Sequence, residues 1–139
     1  MTRLVSWNVN GIRAVLRKGF LDWLAQEDPD VLCVQELKAQ PDQVGLELQQ
    51  PLGLYQSHFD WGERKGYSGV GVFTKRKPLH VRQGLGIRRF DEEGRLLQVE
   101  FDTFTLLTIY FPNGQSSEER LQFKLDYYDA FLEHVENLR

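Results

Sequence analysis

The sequence predicts a mixed α+β fold, and three patterns carry the prediction. A strand, an amphipathic helix and a second strand follow one another at the start. Five short β-type runs separated by turn residues come next. A long helical stretch with an apolar stripe occupies the remainder.

Residues 3–9, with Leu4, Val5 and Trp7, read as a strand. From Gly11 to Gln26 the positions Ile12, Val15, Leu16, Phe20, Leu21 and Leu24 recur at helical spacing, so one helix is expected there. Asp28-Pro29-Asp30 breaks it, and Val31 to Gln35 is a short buried strand. Such a strand–helix–strand opening favours a parallel pair with a crossover helix. Pro41 to Gln50 is expected as a second, weaker helix. The β-type runs are Tyr55–Trp61, Val70–Thr74, Val81–Leu85, Leu96–Phe101 and Phe104–Phe111. Asp91-Glu92-Glu93-Gly94 reads as a turn between antiparallel neighbours. Ser116 and Glu119 have the spacing of a capping box ahead of the long helix. Its stripe of Leu121, Leu125, Tyr128, Leu132, Val135 and Leu138 requires a surface to cover it.

With 139 residues, 41% of them apolar and 27% charged, the chain has the length and composition of one globular domain. No apolar run reaches the roughly 18 residues of a membrane span, and no secretory leader pattern opens the chain. The one cysteine, Cys33, lies in an apolar run without a disulfide partner, so a buried thiol in a reducing cytoplasm is expected. The net charge of −3 argues against a general nucleic-acid binder, but its distribution is uneven. Between Gly62 and Arg89 eight basic residues stand against the single acid Glu63, and the first twenty residues add Arg3, Arg13, Arg17 and Lys18 with no acid. One basic face on an acidic protein positions a polyanion; equally, such residues solvate loops and strand edges.

The residues with most chemistry to offer stand where strands end. Ser6-Trp7-Asn8-Val9-Asn10-Gly11 leaves the first strand, and Gln35-Glu36-Leu37-Lys38 leaves the second. A carboxylate ending an apolar strand is costly to bury unless it is paired or holds a metal. Glu36 is therefore either a cation ligand or an exposed strand-end residue, and Asn8 and Asn10 are either its neighbours in a site or ordinary turn residues. Magnesium takes oxygen ligands and needs only one or two carboxylates. Tyr110, before Phe111-Pro112-Asn113-Gly114, is either a core ring with a wet tip or a donor to a phosphoryl oxygen. Gly66-Tyr67-Ser68-Gly69-Val70-Gly71 lacks the spacing of a phosphate-cradling loop. His58, His80 and His134 form no metal-ligand pattern and no triad.

Together, Ser-Trp-Asn-Val-Asn-Gly-Ile-Arg-Ala, Val-Gln-Glu-Leu-Lys, Gly-Tyr-Ser-Gly-Val-Gly, Tyr-Phe-Pro-Asn-Gly and Glu-Arg-Leu-Gln-Phe-Lys resemble, in this order, the exonuclease III type of apurinic/apyrimidinic endonuclease, bacterial members above all. The resemblance implies the four-layer α/β-sandwich of the endonuclease/exonuclease/phosphatase fold, of which this chain is expected to supply about one sheet with its flanking helices. It implies phosphodiester hydrolysis dependent on magnesium, with manganese as a substitute. The implied partner is double-stranded DNA with abasic sites or 3′ ends, and the implied place is the bacterial cytoplasm at the nucleoid. By the same resemblance Asn8 and Glu36 match the metal-site residues, Tyr110 the active-site tyrosine and Asn113 a phosphate-contacting position. Asn10 matches a position occupied by Asn or Asp. Arg13 and Lys18 lie where the DNA backbone is gripped, and Tyr67 where a loop enters the minor groove.

The family pattern also includes a second half with a Gly-Asp-x-Asn and a Ser-Asp-His motif, and the sequence contains neither. Residues 1–139 are thus expected to be the N-terminal half of one domain, inactive unless a further segment or a complementing chain supplies the rest. A non-catalytic DNA-binding or assembly half-domain is the alternative. A phosphoinositide or sphingolipid substrate fits Arg13, Tyr67 and Asn113 less well.

Overall fold

A computed structural model describes residues 1–139 and places them in four layers. The first sheet has the order β1 (Leu4–Asn8), β2 (Val31–Gln35), β4 (Val70–Thr74) and β3 (Gln56–Asp60). β1 and β2 are parallel, Leu4 opposite Val31 and Asn8 opposite Gln35, and the other pairs are antiparallel. The second sheet, β5 (His80–Gln83), β6 (Leu96–Glu100) and β7 (Thr105–Ile109), is antiparallel throughout.

The alternation along β2 explains the layering, because successive side chains of a strand face opposite ways. Leu32 and Val34 join Phe20, Leu24, Leu48 and Phe73 under helices α1 (Ile12–Arg17), α2 (Phe20–Glu27) and α3 (Leu46–Gln49). Val31 and Cys33 face the other way and meet Val70, Val72, Leu97 and Val99 between the sheets. Burial there raises the Cys33 thiol to about 11, so it is a buried, protonated thiol. On the far side of the second sheet lies α5 (Glu118–Leu138), with Tyr127 and Phe123 edge-on to Phe90 at 5.2 Å. No helix is long and apolar enough to cross a membrane.

The chain therefore contributes to both sheets, not to one as the sequence suggested. A lone sheet would leave one apolar face uncovered; here each sheet meets the other on one face and helices on the opposite one. What stays open is an edge: a shallow gap lined by Leu4, Val5, Ser6, Leu106, Leu107 and Ile109 separates β1 from β7.

Several local expectations are corrected. The helix expected over 11–26 is two helices, because Gly19 sits at φ 99° and no α-helix continues through a left-handed residue. Leu16 and Phe20 keep helical spacing across the break, which hid it. The region 41–50 is a 3₁₀ turn at Pro41–Gln43 and the single turn α3, separated by the extended Val44 and Gly45. Asp91 closes a one-turn helix, α4 (Arg88–Asp91), before the 92–94 turn, and its carboxylate accepts from the N–H groups of Leu85, Gly86 and Ile87. Gly94 is required there: a Cβ would stand 2.3 Å from the Trp61 carbonyl carbon. The N-cap of α5 is Ser117, which accepts from the Arg120 N–H, so no Ser116–Glu119 capping box forms. Finally, α5 turns Phe123 and Tyr127 onto Phe90 of α4 and leaves Leu121, Leu125, Tyr128, Leu132 and Leu138 exposed, Leu132 to 60%. Two apolar rows compete for the interior, and the rings that fit around Phe90 take it.

Asp60, at the end of β3, is buried and accepts only a long hydrogen bond of 3.4 Å from the Leu96 N–H. Burial raises its carboxyl to about 7, the Leu96 bond opposing and Asp91 adding. The folded state thus holds a proton that the unfolded chain releases near 4, and stability falls as pH rises between those values. Asp60→Asn is expected to raise the melting temperature at pH 8 and to leave it unchanged at pH 4. An equal effect at both values would contradict this account.

Candidate active site

The parallel pairing of β1 and β2 brings their C-terminal ends together, and the chain beyond each is hydrogen-bonded to the other. The Val9, Gly11 and Ile12 N–H groups donate to the carbonyls of Gln35, Glu36 and Leu37 at 3.1, 2.8 and 3.0 Å. Here three non-glycine residues, Asn10, Glu36 and Lys38, adopt positive φ of 47°, 56° and 50°. Left-handed backbone is uncommon for side-chain-bearing residues, costs energy and gathers at functional sites.

Glu36 is the centre of this cluster. The Asn8 amide nitrogen donates to its Oε1 at 2.9 Å, while the Asn8 Oδ1 accepts from the Asn10 N–H at 3.0 Å. Asn8 thus orients the carboxylate and the turn together. Lys38 donates through Nζ to Asn10 Oδ1 at 2.5 Å and stands 3.5 Å from Glu36 Oε2. Arg13 donates to the Lys38 carbonyl at 3.0 Å. Lys18 caps the end of α1 and makes no side-chain hydrogen bond to this cluster.

Tyr110 reaches Glu36 from the second sheet. It continues the inward row of β7, and its N–H donates to the Arg95 carbonyl at 2.9 Å. Burial raises its phenol above the usual value, the Glu36 carboxylate adds to the rise, and Arg95 opposes it. At neutral pH the Tyr110 hydroxyl is protonated and able to donate. No group of three or more His, Cys, Asp and Glu side chains gathers to hold a metal. Glu36, with the neighbouring amides of Asn8 and Asn10, nevertheless fits a hard cation that keeps most of its coordination for water and phosphate.

A second cluster adjoins the first. The Leu37 and Lys38 N–H groups donate to the carbonyls of Gly69 and Ser68, which ties the Tyr67 loop to the end of β2. Tyr67, Asn113, Arg64, Ser116 and Arg120 line an open groove together with the carboxylates of Glu63, Glu92 and Glu93. Asn113 Oδ1 accepts from the Gln115 N–H at 2.8 Å and fixes the turn after Tyr110. The predicted residues thus fall in two adjoining groups, Asn8, Asn10, Arg13, Glu36 and Tyr110 in one and Tyr67 and Asn113 in the other, with Lys18 outside both. Lys38, Glu93, Arg95 and Arg120 were not singled out by sequence reasoning. The left-handed position of Lys38 leaves no signal in a sequence, and the other three meet only through the fold.

Residues 5–137 match the model of the endonuclease/exonuclease/phosphatase family, and the chain belongs to that family. It is 40% identical over 134 residues to an exodeoxyribonuclease of Bacillus subtilis, covering 96% of this chain and 52% of that protein. It is also 40% identical to a DNA-(apurinic or apyrimidinic site) endonuclease of Dictyostelium discoideum, covering 98% and 38%. Among solved structures, an AP endonuclease from Archaeoglobus fulgidus superposes with a TM-score of 0.84 at 28% identity, over 99% of this chain and 52% of the other. The 3′ phosphatase NExo from Neisseria, bound to product DNA hairpin, superposes with a TM-score of 0.82 at 27% identity, over 99% and 52%. The chain spans about half the length of these relatives or less.

Because the Glu36 carboxylate adds to the rise that burial gives the Tyr110 phenol, Glu36→Gln is expected to lower the Tyr110 titration point, with the share due to burial remaining. Ultraviolet titration against Tyr110→Phe isolates the signal. An unmoved titration would show that the two groups are not coupled.

Proposed function

We propose that this chain forms the metal-binding and phosphate-gripping part of a DNA-repair phosphodiesterase that cuts duplex DNA at abasic sites and 3′ ends. The carrying observation is the convergence of Glu36, oriented by Asn8, with the protonated Tyr110 hydroxyl from the opposite sheet. Glu36, with Asn8 and Asn10 beside it, would hold magnesium or manganese. Such an ion supplies Lewis-acid polarisation of a phosphoryl oxygen. Tyr110 donates a hydrogen bond to the same phosphate as charge grows on it. Arg13, Lys38 and, further along the surface, Lys18 offer positive charge to the DNA backbone, and Tyr67 and Asn113 contact it from the groove. The names and lengths of the relatives support this reading. The attacking water needs a base, which this reading assigns to a further segment or a complementing chain. The same proposal takes the protein to act in the bacterial cytoplasm at the nucleoid.

The test is nicking of a labelled duplex carrying one tetrahydrofuran abasic-site analogue, with magnesium. The chain is assayed alone and together with the C-terminal half of the Bacillus subtilis relative. Nicking is expected with both pieces present and to fall about a hundredfold or more in Glu36→Ala. A variant as fast as the parent would remove Glu36 from the reaction. Salt-sensitive DNA binding that ignores magnesium, with no nicking in any combination, would favour a non-catalytic half-domain.

A further inference from the structure

Arg95, the residue before β6, has a guanidinium only 1% exposed, and every face of it is used. Nε donates to Glu93 Oε1 at 2.9 Å, Nη1 to the Tyr110 carbonyl at 2.9 Å and Nη2 to the Tyr67 hydroxyl at 2.8 Å. The rings of Tyr110 and Tyr67 lie 5.1 and 5.6 Å from its central carbon. Glu93, 16% exposed, takes a second cation: Arg120 donates to both its oxygens at 3.0 Å. Arg120 also reaches the Tyr67 hydroxyl, at 3.3 Å. Burial would raise the Glu93 carboxyl, but the hydrogen bonds from Arg120 and Arg95 outweigh it and hold it below its ordinary value.

This arrangement decides what Tyr67 can do. A phenol oxygen has one proton to give and lone pairs to receive with. Here the oxygen already receives two guanidinium donors, so its own proton is directed away from them, into the groove beside Arg64 and Asn113. Neither guanidinium would keep that aim without an anion to bridge them, because two unpaired cations repel and Arg95 is buried.

We propose that Glu93 is a positioning residue: by bridging Arg95 and Arg120 it fixes the Tyr67 hydroxyl as a donor toward an anionic oxygen in the groove. The inference rests on the reading of the groove as a place for a DNA phosphate. Glu93 lines the groove as well, but its oxygens accept from the two guanidiniums and have no proton to offer an anion.

The test is a double-mutant cycle on the full chain with Glu93→Gln and Tyr67→Phe. Binding is read by fluorescence anisotropy of a labelled duplex carrying one tetrahydrofuran abasic-site analogue. Glu93→Gln is expected to weaken binding about tenfold, the scale of a charge-assisted hydrogen bond. Glu93→Asp should retain most of the affinity. The double variant should bind no more weakly than Tyr67→Phe alone, because the two changes remove one interaction. Additive losses, or an unchanged affinity in Glu93→Gln, would overturn the proposal. If the parent chain leaves the duplex unbound, the DNA reading of the groove fails for this chain, and the ligand-free protein decides the inference. There the ζ-carbon resonance of Tyr67, identified with Tyr67→Phe, should move in Glu93→Gln and return in Glu93→Asp. A resonance that stays in place overturns the bridge.

Discussion

Burying one cation, Arg95, constrains this molecule more than any other single interaction. Taking a guanidinium out of water costs several kcal/mol, and removing one partner of a buried pair costs about 3–5 kcal/mol. The fold meets that cost by surrounding the group completely. A carboxylate two residues earlier, a main-chain carbonyl at the end of β7, a phenol from the 66–69 loop and two aromatic faces converge on it. Each contact fixes a different segment. The start of β6, the exit of β7 and the Tyr67 loop therefore share one geometry, and the candidate site is built at their junction.

The two sheets supply the other half of that geometry. β1 and β2 run parallel, so both release their chains at the same edge, and the inter-sheet core sets β7 opposite them. Gln35 marks the seam: its amide nitrogen donates to Ser6 Oγ and to Thr108 Oγ1, each at 3.1 Å, joining both sheets one residue before Glu36. Glu36 and Tyr110 face each other because the layers are in register there. The basic residues noted in the sequence divide between this cluster and the rest of the fold. Arg13 stands at the cluster, whereas Lys75 pairs with Asp28, and Arg76 donates to Thr2 Oγ1 while reaching Asp102.

The strands were legible because alternation and turn residues are local signals. Each observed strand falls within a residue or two of its expected run, and the parallel β1–β2 pair followed from the intervening helix. The break at Gly19 was not legible, since the apolar spacing crosses it unperturbed. Nor was the split into two sheets. Which antiparallel strands pair is decided by long-range packing of Val31, Cys33, Val72, Leu97 and Val99, and all of them look alike as β-type residues. On α5 two rows of similar hydrophobicity offered themselves, and only the shape of the surface around Phe90 selects between them. In the site, Asn8, Glu36 and Tyr110 stand at strand ends, where exposed chemistry is expected. Glu93, Arg95 and Arg120 read as ordinary turn, strand and helix charges, and their meaning lies in distances no spacing encodes.

On the proposed reading Glu36, Asn8 and Tyr110 form a cation and phosphate site within this chain. Magnesium titrated into the isotope-labelled chain, followed residue by residue by NMR, decides whether they do. Saturable shifts confined to residues 8–11, 36–38 and 110 are the expected result, and they should vanish in Glu36→Gln. Shifts that gather instead on the acidic residues of 91–93 or α5, or that survive in Glu36→Gln, would show that no such site exists at Glu36.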